Sequence, residues 1–214
     1  MSDYKMFPKE YLDRWDSYFY PNTDVFINKL GIKDYYELKE KETEISFEKL
    51  VELYENPIVG NFDKAHLCAI HKYIFGELYD WAGKYRIVGM TKQTPFVDPG
   101  QIDMYLDFEL TKMNQESEHI NSKEDLVILL TTYFIELMNI HPFREGNGRA
   151  GREFFREFVL EKSKKLSSGP LELDWTQIDG EVINDLELAR VFRSGLENEF
   201  RKGLVSVETL TQQK

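Results

Sequence analysis

Residues 141–152, His-Pro-Phe-Arg-Glu-Gly-Asn-Gly-Arg-Ala-Gly-Arg, constrain this chain more than any other stretch. They place a base, a carboxylate, a glycine-flanked turn and two arginines in one short run. The backbone of Gly146, Asn147 and Gly148 can take tight, positive-φ conformations that point successive N–H groups into one concavity. A helix starting at Asn147 would add its positive dipole end to that concavity. Arg149 and Arg152 are three apart, so they share a face of such a helix near its first turn. Guanidinium groups there can make bidentate bonds to phosphate oxygens. Glu145 offers the hard oxygen that Mg²⁺ takes alongside substrate phosphates. His141 is the nearby group able to exchange a proton near neutral pH. Each part suits the handling of a nucleoside triphosphate. A bare helix–helix turn would leave the order of His, Glu and both arginines unexplained.

Helical patterns flank this run. Ser122 caps a helix, with Asp125 at the third position in capping-box spacing. Leu126, Leu129, Leu130, Tyr133, Phe134, Leu137 and Met138 make that helix apolar round much of its circumference, which marks it as central. It delivers His141 at its C-terminal end, where the dipole favours a protonated imidazole. The helix after the run carries Phe154, Phe155, Phe158, Val159 and Leu160 and ends before Ser167-Ser168-Gly169-Pro170. A last helical region is expected from Leu173, Trp175 and Ile178 through Ile183, Leu186, Leu188, Val191, Phe192, Leu196 and Phe200. Upstream, Asp98 with Pro99 starts a helix whose apolar face is Ile102, Tyr105, Leu106, Leu110 and Met113. Asp63 caps another, expected to reach Tyr79 and to end at Gly83. Residues 34–54 read as two helical pieces with a solvated charged face. Tyr20-Pro21-Asn22-Thr23-Asp24 reads as a turn and a helix entry. The segment before it, with Tyr4, Phe7, Tyr11, Trp15, Tyr18 and Phe19, reads as an arm docked on the domain. Arg86 to Val97 reads as extended, with a turn near Lys92 and Gln93.

Composition narrows the class. The 214 residues suit one domain, or one domain with an arm, and can bury a sizeable core. A formal net charge of −11 argues against broad binding to nucleic acid or an anionic membrane. The single cysteine, Cys68, excludes an intrachain disulfide and sits among apolar neighbours as a core thiol. His66 and His71 are five apart on one helix and share a face poorly, so they read as structural or surface residues. His119 falls in a polar loop. No apolar run approaches transmembrane length and no signal-peptide core is visible, so the expectation is a cytoplasmic protein, with a secreted effector left open.

Residues 141–152 resemble the motif of the Fic family, H-P-F-x-[D/E]-G-N-G-R-x-x-R, and match every specified position. Leu78-Tyr79-Asp80-Trp81-Ala82-Gly83 with Arg86, and Tyr20 to Ile32, are similar to two further segments of that family. The resemblance implies a mainly α fold: a Fic-type helical bundle with one short β-hairpin flap. It divides the chain into an N-terminal arm over residues 1–35, a Fic domain over 36–205 and a frayed tail over 206–214. It implies a protein adenylyltransferase that moves AMP from ATP to a Ser, Thr or Tyr hydroxyl of a target protein and releases pyrophosphate. His141 would be the catalytic base and Glu145 the Mg²⁺ ligand. Gly146, Asn147, Gly148, Arg149 and Arg152 would bind the nucleotide, with the Asn147 side chain orienting the α-phosphate. Ile87, Val88, Gly89, Met90, Thr91, Lys92, Gln93, Thr94, Pro95 and Phe96 would form the flap that docks the target by strand addition. Doc-type relatives lack the second Arg and transfer a γ-phosphoryl group, so a kinase is the alternative; a non-catalytic nucleotide-binding module is another. Many members carry an inhibitory [S/T]-x-x-x-E-[G/N] helix. Here Glu55, Glu145 and Glu197 precede Asn or Gly, but Val51, His141 and Arg193 stand four before them. The expectation is a toxin, with a small separate antitoxin supplying the inhibitory Glu, or an effector.

Overall fold

The structure, a computed structural model, describes residues 14–92, 94–184 and 193–208. Helix α1 (Tyr35–Glu55) opens on Asp34, whose side chain accepts from the N–H groups of Tyr36 and Glu37. It is one continuous helix where two pieces were expected. Its inward positions are Leu38, Glu42, Ser46 and Leu53. That spacing is helical, but two members are polar, so counting apolar residues alone interrupts the stripe.

Asp63 caps α2 (Lys64–Phe75), its carboxylate accepting from His66 N–H. This helix ends at Phe75, short of Tyr79. The chain then turns, with Leu78 and Tyr79 N–H both donating to Phe75 O. Gly83, at φ +77, belongs to that turn and is not the helix cap. The N-terminal segment pulls the turn out of helical line. Lys29 N–H donates to Leu78 O at 2.8 Å, and the Phe26 ring meets Tyr79 and Trp81 edge-on. No helix follows Asp24. Phe19 and Phe26 form a single bridge, and the Asn28 side chain closes a turn on Ile32. Tyr4, Phe7 and Tyr11 lie outside the described residues.

A 3-10 turn, Pro99–Gln101, capped by Asp98, leads into α3 (Ile102–Ser117). Ile102, Leu106, Leu110 and Met113 are buried; Tyr105, one residue before Leu106 and so about 100° round the helix, is exposed. The capping box of Ser122 and Asp125 starts α4 (Lys123–Ile140). This is the central helix, and it packs against α3, α5 (Asn147–Lys162) and α7 (Arg193–Gly203). Val127 and Ile135 add to its expected buried set, so little of its surface meets solvent.

Leu173 is in a strand, not a helix. Leu171–Leu173 (β1) pairs antiparallel with Leu204–Ser206 (β2), Leu171 opposite Ser206. All three β1 residues are buried, and a three-residue buried run carries no period to read. Trp175–Gln177 is a 3-10 turn capped by Asp174, followed by the short α6 (Gly180–Asn184) and α7. Leu186, Leu188, Val191 and Phe192 lie outside the described residues, as does the tail from 209. Among the described residues, no helix is long and apolar enough to cross a membrane.

Candidate active site

His141 is the C-cap of α4, in the left-handed region at φ +49. Its Nδ1 lies 3.3 Å from Met138 O. A carbonyl only accepts, so the ring proton sits on Nδ1 and Nε2 keeps its lone pair. Phe96 stacks on the imidazole at 4.0 Å. The dipole of α4 favours the protonated ring expected from sequence, but burial outweighs it. Desolvation first, then the charges of Arg86 and Lys92, lower the pKa to about 4 against the help of the Met138 carbonyl. His141 is therefore neutral near pH 7.

Sequence reading names Arg86 only as part of a family-like segment and gives no role to it, yet it fixes this end of the helix. Arg86 is fully buried, and its guanidinium donates to four carbonyls: His141 at 2.8 Å, Val88 at 2.7 Å, Ile140 at 3.2 Å, and Val97. Its own N–H donates to Pro142 O. One side chain thus ties both ends of the Arg86–Val97 segment to the base. That segment is a minimal hairpin. Thr91 and Pro95 form one bridge, and Phe96 N–H donates to Met90 O at 3.0 Å. Val88 is buried, so it supports the hairpin and offers nothing to a partner. Ile87, Thr91, Lys92, Thr94 and Pro95 are exposed; Gly89 and Met90 are half-buried. Gln93 lies outside the described residues.

Between His141 and α5 the chain is clamped from both sides. Asn147 Oδ1 accepts from Phe143 N–H and its Nδ2 donates to Phe143 O, both at 2.8 Å. The Asn147 side chain therefore shapes the loop through both its Oδ1 and its Nδ2. From the other side, His71 stacks on Phe143 at 3.8 Å. Gly83 N–H donates to its Nδ1, so Nε2–H donates to Glu145 O at 2.9 Å. Burial lowers the His71 pKa to about 4 and keeps it neutral. His66 is likewise structural, paired with Glu157 in the interior. Gly146 has φ +80, and a Cβ there would come within 2.2 Å of the Phe75 ring. Glycine is required on both counts. Gly146 N–H is spent on Glu145 Oε1 at 2.9 Å, which leaves the N–H groups of Asn147 and Gly148 at the start of α5 as anion donors.

The two arginines differ. Arg149 Nη2 lies 2.6 Å from Glu42 Oε1 and 3.5 Å from Glu145 Oε1, and its Nη1 donates to Ser46 Oγ. Glu42 sits in a stretch that reads as solvated surface, yet it is buried and also accepts from the Tyr79 hydroxyl at 2.5 Å. Arg152 packs its guanidinium over Gly148. Burial, then the Arg149 charge, lower its pKa, and no carboxylate among the described residues offsets them. A half-buried cation that no carboxylate offsets suits an anionic ligand. Both arginines border a cleft of about 560 Å³ whose far wall is Phe47, Leu50, Val51 and Tyr54 of α1 and Trp175. His141 and Glu145 lie outside that cleft's lining. Among the described residues no three His, Cys, Asp or Glu side chains gather as a metal site. Glu145, 38% exposed beside a helix N-terminus, suits Mg²⁺ that arrives already bound to phosphates.

A helical bundle that presents a neutral histidine, a half-exposed carboxylate and an arginine that no carboxylate offsets near one helix N-terminus has groups suited to a phosphate-bearing ligand. The family model described as "Fic/DOC family" matches residues 61–159. The chain is 34% identical over 167 residues to the protein adenylyltransferase VbhT of Bartonella schoenbuchensis, covering 77% of this chain but 33% of that protein, so it spans a third of this relative's length. It is 31% identical over 160 residues to the probable protein adenylyltransferase y4lH of Sinorhizobium fredii, covering 72% of this chain and 80% of that one. The crystal structure of the BepC effector protein of Bartonella tribocorum with bound AMPPNP superposes with a TM-score of 0.73 at 25% identity, covering 89% of this chain and 97% of that one. The chain belongs to the Fic/DOC family.

Proposed function

We propose that this chain is a protein adenylyltransferase: it transfers AMP from ATP to a hydroxyl side chain of another protein. The observation that carries the reading is the presence of a neutral His141, its Nε2 unspent, with Arg152, a half-buried cation that no carboxylate among the described residues offsets. The target hydroxyl oxygen attacks the α-phosphorus and its proton passes to His141 Nε2. The α-phosphorus bond to the bridging oxygen breaks and pyrophosphate leaves. The N–H groups of Asn147 and Gly148 bind the phosphates, and Arg152 holds the departing end. Glu145 would hold Mg²⁺, which when bound neutralises phosphate charge. The names of the relatives, protein adenylyltransferases, support the same chemistry.

Phe96 rests on His141, and the hairpin it belongs to exposes Thr91, Lys92, Thr94 and Pro95. A target peptide adding a strand there would bring its hydroxyl toward Nε2. The cleft beside Arg152 supports a separate antitoxin as inhibitor: its α1 wall is apolar, and a carboxylate on an incoming helix would pair with Arg152. Glu197 pairs with Arg201 on its own helix and does not fill that role.

The test is peptide mass spectrometry on protein incubated with the chain, ATP and Mg²⁺, with pyrophosphate assayed in parallel. Adenylate on a hydroxyl, equimolar pyrophosphate and loss of both in His141→Ala are expected. Phosphate on the hydroxyl with ADP released would establish kinase chemistry instead, and nucleotide binding without either product a non-catalytic module.

A further inference from the structure

We infer that Glu42, on the inner face of α1, is a positioning residue that holds Arg149 off Glu145 and so keeps the Glu145 carboxylate open to a divalent cation. This rests on Glu145 as that cation's protein ligand. One nitrogen, Arg149 Nη2, faces both carboxylates, at 2.6 Å from Glu42 and 3.5 Å from Glu145. Glu42 wins that competition for structural reasons. Its side chain is 5% exposed, and its second oxygen is fixed by the Tyr79 hydroxyl. Ser46, one turn further along α1, takes Arg149 Nη1 at 3.0 Å, and the Phe75 ring lies 4.6 Å below the guanidinium. A short charge-assisted bond in a desolvated pocket is far stronger than a long contact to a half-exposed group. Glu145 therefore meets Arg149 only through the long contact at Oε1. Without Glu42, Arg149 becomes a half-buried cation that has lost its short charge partner. The nearest anion is Glu145, four residues back and already in contact. A closed Arg149–Glu145 pair would occupy the oxygens a cation needs.

The test uses Mn²⁺ as a paramagnetic probe with α,β-methylene ATP, whose α–β linkage cannot break. Free Mn²⁺ is read by electron paramagnetic resonance with protein in excess over the analogue. Glu42→Gln should weaken Mn²⁺ binding by roughly ten- to a hundredfold, the effect usual for groups behind a metal ligand. Its affinity for the metal-free analogue should hold or tighten. Glu42→Asp should retain most of the Mn²⁺ affinity. Equal Mn²⁺ affinity in wild type and Glu42→Gln would overturn this inference and leave Glu145 as the ligand. So would a parallel loss of affinity for the metal-free analogue, since that is the mark of a purely structural role. Unchanged Mn²⁺ binding in Glu145→Gln would overturn the reading of Glu145 itself, and this inference with it.

Discussion

Held down to about 4 by burial, His141 and His71 stay neutral through the range in which an exposed histidine titrates. The unfolded chain takes up those two protons below about pH 6.5 and the folded chain does not. Folding stability should be unaffected by these groups above pH 6.5. It should then fall by up to about 1.4 kcal/mol per pH unit for each histidine between about 6.5 and 4. Urea melts at stepped pH check this sign. For catalysis, the acid limb of kcat/KM should lie near pH 4 to 5, well below the ordinary histidine value. A limb at 6.5 would mean that His141 is solvated in the working enzyme. Arg152 is half-buried and no carboxylate among the described residues offsets it. Arg152→Met should cost roughly a hundredfold or more in kcat/KM and leave the melting temperature nearly unchanged, because no ion pair is lost. Loss of both activity and stability would mean that Arg152 has a structural partner.

At the level of elements, capping was legible and inward polar residues were not. Asp63, Asp98 with Pro99, and Ser122 with Asp125 all cap where their spacing says they should. These are local signals, read within a few residues of one another. Helix α1 was split because its stripe contains Glu42 and Ser46, which turn inward to meet Arg149 more than a hundred residues away. No window on α1 alone can show that. Arg86 is the same case: a charge in a turn segment that becomes the bolt between hairpin and helix end. Arg86→Met should leave four carbonyls short of a donor. The expected loss is on the order of 3 kcal/mol or more, from unsatisfied buried acceptors, and hydrogen exchange should show residues 87–97 opening before α4. A stability loss without that local opening would count against the bolt.

Across the molecule, the central helix, the bundle and the site around 141–152 could be read because one run of residues holds nearly all the chemistry. The pairing of β1 with β2 could not: it joins residues about thirty apart through three-residue strands, too short to carry a pattern. Nor could the cleft, whose walls come from α1, α5 and Trp175. What matters most is which phosphorus the target hydroxyl attacks. Purified chain should be incubated with Mg²⁺, bacterial lysate and ATP labelled at either the α- or the γ-phosphate, beside His141→Ala. Label on protein from the α position only, and absent from the mutant, is the expected result. Label from the γ position only would contradict adenylyl transfer and make this a kinase.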